Sequence, residues 1–426
     1  MAQQRIAASG NWISRINPVT ITTGPTILLL LLISAAGAQA QVFQALHIFS
    51  GEDGANPEAG VTLSGQKLYG TTSGSAFRLV LNGSGWVLNP LYNFDQFKNG
   101  EIVYSKVVFG PDGSLYGTTA GGGLDIGGCA YGDGCGVVYK LQPPASVCRT
   151  FDCLWTETVL YRFSGGADGG VPFSEVVFDT AGNLYGTTAY GGNTSCDYGC
   201  GVVYKLTPSN GGWTESVIYS FTGGDDGAEP VGGLTFDQAG NLYGTGFAGG
   251  SGLGGVIFEL TPSNGKWTET TLHGFQAGTD GSRPQSTLIF DSAGNLYGVA
   301  SLGGPKNGGT AFEWSPSNGG TYTVLFSFAS ESNPTGTLAF DPARNLYGTT
   351  ANGGANQIGT VFRLHPSNGS WTETDLYTFQ GLGDGANPYS GVTMDQEGHL
   401  FGTAYNGGGF LQVCANGCGS VWVVTP

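Results

Sequence analysis

The chain has 426 residues, of which 77 are glycine, about 18% of its length against the ~7% of average proteins. Charged residues make up only 11%, yet hydrophobic residues reach 40% and aromatics 12%, which excludes a disordered tail; the glycines follow no Gly-X-Y rule, which excludes collagen. Fifteen Lys and Arg against 31 Asp and Glu give a formal net charge of −16, a field that repels phosphate backbones and makes nucleic acid an unexpected partner.

Read from the amino end, residues 1–40 have the pattern of a signal peptide. Arg5 and Arg15 are their only charges, an apolar run from Ile27 to Ala36 follows, and Ala38-Gln39-Ala40 supplies the small-x-small pattern of a cleavage site. The run is short of the ~20 apolar residues that span a bilayer. The leader is long, so an uncleaved anchor is the alternative. Cleavage would remove both arginines, leave a net charge of −18, and expose no cysteine for a lipid anchor. No second long apolar segment follows. An exported protein, periplasmic or secreted and free of the membrane after cleavage, is expected.

Beyond the leader the sequence repeats itself. Leu-Tyr-Gly begins at Leu68, Leu115, Leu184, Leu242, Leu296 and Leu346, and Leu400-Phe401-Gly402 is a seventh copy. The third copy shows the surrounding unit. Glu175 to Asp179, Leu184 to Thr188, Gly201 to Leu206 and Trp213 to Phe221 are rich in β-branched and aromatic residues, and Asp, Asn, Pro and Gly separate them. Each unit therefore reads as a four-stranded antiparallel meander. Apolar residues on both faces, as at Val176, Val177 and Phe178, mean that each sheet is sandwiched between neighbours, the signature of blades arranged radially. Ala45 to Gly51 matches the fourth strand of other copies, and Gly419 to Val424 matches the third. If Leu46 to Phe49 lies beside Val421 to Val424, the ring closes without a raw edge. The expectation is an all-β fold: one seven-bladed β-propeller over 41–426, closed by the N-terminal strand, and a monomer.

The segment Leu184-Tyr185-Gly186-Thr187-Thr188-Ala189-Tyr190-Gly191-Gly192, followed by Gly201-Val202-Val203-Tyr204-Lys205-Leu206-Thr207-Pro208, resembles the Gloeobacter/Verrucomicrobia (GloVer) tandem repeat of exported bacterial proteins of the choice-of-anchor type. The resemblance covers residues 41 to 426 and implies export, but no particular reaction. Family members often carry a C-terminal anchoring module, and none is legible here.

In this topology the loops after second and fourth strands share one face with the mouth of the central channel, where propellers gather ligands. Acidic turns recur on that face at Asp53, Asp168, Asp226, Asp280 and Asp384. Converging oxygens there could hold Ca²⁺, but Asp-Gly is also the commonest turn dipeptide, and no Asp-x-Asp-x-Asp-Gly spacing is present. No other cofactor is expected. The innermost strands carry only small residues at Ala59, Ser105, Ser174, Gly232, Ser286, Gly336 and Ser390, which argues against a ring of ligands in the channel. Lys106 and Glu175 come next in adjacent blades, and a structural ion pair across the channel is expected of them.

All four histidines are scattered variants of the repeat: His47 and His273 stand for its Tyr, His365 for a Thr and His399 for an Asn, so no triad can be argued. Trp86, Trp155, Trp213, Trp267 and Trp371 open fourth strands and read as packing residues. Tyr131, Tyr190, Tyr198 and Tyr405 lie in variable loops and are candidate contacts for a carbohydrate or peptide, together with Asp168, Asp226, Asp280 and Asp384.

Eight cysteines form four close pairs, Cys129 with Cys135, Cys148 with Cys153, Cys196 with Cys200, and Cys414 with Cys418, which an oxidising compartment would join as disulfides. The rival is a zinc site of Cys129, Cys135, Cys196 and Cys200, for which the spacing is wrong. These features point to a non-enzymatic binding module for an extracellular glycan or protein. The alternatives are a polysaccharide hydrolase or lyase, which would need two carboxylates facing one groove, and an adhesive scaffold without a small ligand.

Overall fold

A computed structural model describes residues 41–83, 85–95, 100, 102–123, 129, 134–145 and 154–426. The leader, Tyr131, Cys148 and Cys153 lie outside the described residues.

Each blade grows outward from the axis, as the third shows. Strand Val177–Phe178 pairs antiparallel with Leu184–Thr188, which pairs with Val202–Ser209, which in turn pairs with Gly212–Ser220. The turn between the first two is set by its own side chain. Asp179 Oδ1 accepts the backbone N–H groups of Ala181 and Asn183, while Oδ2 accepts the amide of Asn183 and the hydroxyl of Tyr185. Asp237 and Asp291 repeat the device. Seven such sheets form the ring, and the fifth differs only in that its innermost strand is split into Ser282–Pro284 and Ile289–Phe290. Among the described residues the one helical element is a 3₁₀ turn at Ser317–Gly319.

Leu-Tyr-Gly recurs because each of its residues meets a different neighbour. All seven leucines are fully buried. Five of the six tyrosines pack edge-on against the first-strand Phe of the following blade, as Tyr116 does on Phe178 and Tyr185 on Phe236, while Tyr347 meets Met394; where that blade has a fourth-strand Trp it covers the same ring, as Trp213 covers Tyr116. The glycine lies under an aromatic ring of the third strand of its own blade: a Cβ on Gly186 would run into Tyr204, and one on Gly402 into Trp422. These third-strand aromatics, among them Tyr139, Phe258 and Phe362, are fully buried.

The ring closes as the termini imply. Strand Val42–Ile48 pairs antiparallel with Ser420–Thr425, from Val42 opposite Thr425 to Ile48 opposite Ser420, and becomes the outermost strand of the seventh blade. Phe43 stacks on Tyr377 of the sixth blade at 3.8 Å, and Phe49, fully buried, meets Phe77 of the first at 5.3 Å. The architecture is a seven-bladed β-propeller.

Candidate functional site

Every blade is entered through a residue held in the left-handed region: Asn56, Ile102, Val171, Glu229, Arg283, Asn333 and Asn387, with φ between 52° and 59°. For β-branched Ile102 and Val171 this is an outlier that the surroundings must impose. The imposition is visible in the hydrogen bonds. Each N–H donates to a loop carbonyl of the preceding blade, as Val171 does to Cys135 at 2.7 Å and Glu229 to Cys200 at 2.9 Å, while the carbonyl of Val171 accepts from Ala189 of its own blade. Disulfides Cys129–Cys135, Cys196–Cys200 and Cys414–Cys418 hold three of these loops, and the second cysteine of each provides the accepting carbonyl. The four cysteines weighed as a zinc site are thus paired with each other.

The extended segment that leads into the first strand faces the axis, and side chains alternate along it. Ser105, Ser174, Ser286 and Ser390 turn into their own blades, where their hydroxyls bond to the second strand. The residues on either side line the channel beside Ala59, Ser174, Gly336 and Ser390, so the lining is wider than the small positions read from the sequence and includes charged and aromatic neighbours. An upper ring is formed by Glu58, Tyr104, Phe173, Val231, Gln285, Thr335 and Tyr389; below it stand Lys106, Glu175, Thr287 and Thr337, with glycine at 60, 233 and 391. Together with Tyr190, Glu229 and Phe247 from the loops they enclose a cavity of about 360 Å³.

The cavity is polar, charged and walled by rings. Tyr104 and Phe173 stack at 5.3 Å, and Tyr389 meets Tyr405 edge-on at 5.5 Å. Burial pushes the Glu58 carboxyl up to about 7, and the hydroxyls of Tyr389 and Tyr405 are raised by burial and then by Glu58. Burial also raises Glu229, with Arg283 opposing, and lowers the ammonium of Lys106, with Glu175 opposing. The expected ion pair between Lys106 and Glu175 does not form. Lys106 Nζ donates to Thr393 Oγ1 at 3.1 Å, and Glu175 Oε1 accepts from Thr287 Oγ1 at 2.7 Å, on opposite sides. Thr335 Oγ1, buried in the wall, has no hydrogen-bond partner.

Of the tyrosines singled out in the sequence, Tyr190 lines the cavity and Tyr198, 61% exposed, leans on it edge-on at 6.1 Å; Tyr405 sits behind Tyr389. The acidic turns stand apart from the cavity, and each carboxylate accepts hydrogen bonds within its own turn, although Asp384 does so through Oδ2 alone and its Oδ1 is buried without a partner. Asp168 accepts from Ser164 N and Tyr161 Oη, Asp226 from Thr222 N and Tyr219 Oη, Asp280 from Gln276 N and the His273 ring, and Asp384 from Gln380 N and Tyr377 Oη. Among the described residues one trio of metal-ligating type, Asp395, Glu397 and His399, lies within 4.8 Å in a tight turn of the seventh blade, where His399 keeps the bond to Asp395 that Asn makes elsewhere. Sequence reasoning passed over Glu58, Glu229, Thr335 and the Tyr104–Phe173 stack. A signal was present: Pro, or Val103 in the second copy, stands two residues before each small residue, so the position between them falls on the axis side.

The fold is a seven-bladed propeller whose axial cavity is lined in part by Tyr190, Glu229 and Phe247 from the loops. Residues 32–196, 73–289 and 194–415 match the model of the Gloeobacter/Verrucomicrobia repeat, and the chain belongs to that repeat family. No curated protein matches the chain. Among solved structures it is similar to an extracellular domain assigned to the hybrid two-component system BT3049 of B. thetaiotaomicron, with 13% identity and a TM-score of 0.50 over 90% of this chain and 41% of that one. It is also similar to PorZ, a surface component of the type-IX secretion system of Porphyromonas gingivalis, with 13% identity and a TM-score of 0.49 over 89% of this chain and 47% of that one. The chain thus spans less than half the length of either. A Bacteroides uniformis protein described as a 6-phosphogluconolactonase gives 15% identity and a TM-score of 0.48 over 86% of this chain and 90% of that one. At such identities the likeness concerns the fold.

Proposed function

We propose that this protein is an exported binding module of the cell envelope that takes a glycan unit or a peptide segment into the channel mouth, without turning it over. The observation that carries the reading is the 360 Å³ cavity on the axis, walled by Tyr104, Phe173 and Tyr389 and edged by carboxylates and hydroxyls. Aromatic faces with a few convergent polar groups are what small polar ligands require. Disulfides and the apolar leader support a place outside the cytoplasm. Membership of the choice-of-anchor type belongs to the same proposal.

The test is a glycan and peptide array followed by titration calorimetry of the best ligand. Tyr389→Ala is expected to weaken binding at least tenfold with the fold intact by circular dichroism. A ligand that binds equally well to Tyr389→Ala and Glu58→Gln would overturn the assignment of the mouth.

A second reading, a polysaccharide hydrolase, draws on one observation. Glu58, Glu175 and Glu229 face a single cavity, and Glu58, at about 7, lies in the range of a proton donor at neutral pH. Release of reducing sugar from envelope polysaccharides, lost in Glu58→Gln, would favour it over simple binding.

A further inference from the structure

Lys106 and Glu175 occupy equivalent positions in adjacent blades, carry opposite charges, and turn away from each other. Each does so across a glycine. Lys106 passes Gly60 of the first blade, where an added Cβ would stand 4.0 Å from its Cδ, to reach Thr393 of the seventh. Glu175 passes Gly233 of the fourth blade, where an added Cβ would stand 2.9 Å from Oε1, to reach Thr287 of the fifth. A side chain at 233 would collide with the Glu175 carboxylate, whereas a Cβ at 60 would make only ordinary contact with Lys106, so it is Gly233 that keeps the path of the acid open. An ammonium has three donors, and one hydroxyl satisfies one of them. The two charges attract each other across the cavity without touching, and each is held only by a neutral hydroxyl, so a ligand that brings a complementary charge to each would make contacts that neither now has.

Two further features describe that ligand. Thr335 Oγ1, on a residue only 6% exposed, lines the same cavity without a partner. Tyr104 and Phe173, two residues before Lys106 and Glu175 on the same side of their extended segments, stack into one wall beside the charges. A lone anion would have to enter against a net charge of −16, and a lone cation would meet Lys106. A zwitterion meets neither objection. The cavity volume lies at the lower end of the about 300–1,000 Å³ of small-ligand sites.

Resting on the binding role of the mouth, we propose that the channel holds a small zwitterion, an α-amino acid or dipeptide with an apolar side chain, its carboxylate on Lys106, its ammonium on Glu175 and its side chain against the Tyr104–Phe173 stack. Calorimetry with the dipeptide alanyl-phenylalanine, its N-acetyl form and its C-terminal amide tests this on the unaltered protein. The free dipeptide is expected to bind at least tenfold more tightly than either capped form. Lys106→Met should abolish discrimination against the amide and keep that against the acetyl form, and Glu175→Gln should do the reverse. Equal binding of all three forms, or of none at millimolar concentration, overturns the zwitterion. A neutral oligosaccharide bound in place of the dipeptide would sink the zwitterion and leave the binding role of the mouth standing, whereas failure of both ligand classes sinks both.

Discussion

Glu58 makes the electrostatics of the mouth measurable through stability. Its carboxyl titrates near 7 in the folded protein instead of 4.5, and burial is the cause. Each tenfold change in proton affinity is worth about 1.4 kcal/mol, so this displacement corresponds to about 3 kcal/mol. The folded state binds this proton more tightly than the unfolded chain. Its contribution is therefore complete below pH 4.5, is lost as pH rises through 7, and is absent above. Glu58→Gln removes the titration while keeping the shape of the protonated acid. Urea unfolding of both proteins from pH 4 to pH 8 should show little difference at the acid end and an advantage for the variant of about 3 kcal/mol at pH 8. Glu215 and Glu373, also raised to about 7, tilt the profile of both proteins and cancel in the difference. Tyr389 and Tyr405, raised above the ordinary phenol range, do not titrate in this window. A gap between the two proteins that stays constant with pH, or a variant less stable at pH 8, would refute the reasoning.

Phe49→Ala empties a fully buried site where the closing strand meets Phe77 and should cost about 3–5 kcal/mol in urea unfolding, with faster proteolytic release of residues 41–49; an unchanged midpoint would show that closure does not depend on it. Asp226→Ala strips the acceptor from Thr222 N at 2.8 Å and Tyr219 Oη at 2.9 Å and should cost about 1–3 kcal/mol, whereas exposed Asp225→Ala should be nearly neutral; equal effects in thermal unfolding would contradict the turn-clamp role. Replacing Cys196 and Cys200 together by Ala opens a short loop and should cost about 2 kcal/mol, measured by urea unfolding beside non-reducing mass spectrometry of the parent protein; free thiols at these positions in the parent would remove the premise.

How much could be read in advance follows the distance over which each feature is determined. Asp179 bonds to Asn183 and Asp226 to Thr222, partners four residues away, so turns, strands and the repeat are written locally and can be recognised seven times over. The closing strand was legible for the same reason, since Ala45 to Gly51 carries a pattern already seen elsewhere in the chain. The channel was not. Most of its first strands make ladders of only two residues, as at Val177–Phe178, too short to show which side faces the axis, and the reading named the small positions but missed the charged and aromatic ones beside them. Lys106 finds its hydroxyl 287 residues away and Glu175 finds its own 112 residues away, each over a glycine contributed by a blade in between. Such meetings depend on the order and curvature of the whole ring, which exist only once seven sheets have packed; local periodicity specifies the blade, and ring closure alone decides which side chains share the axis.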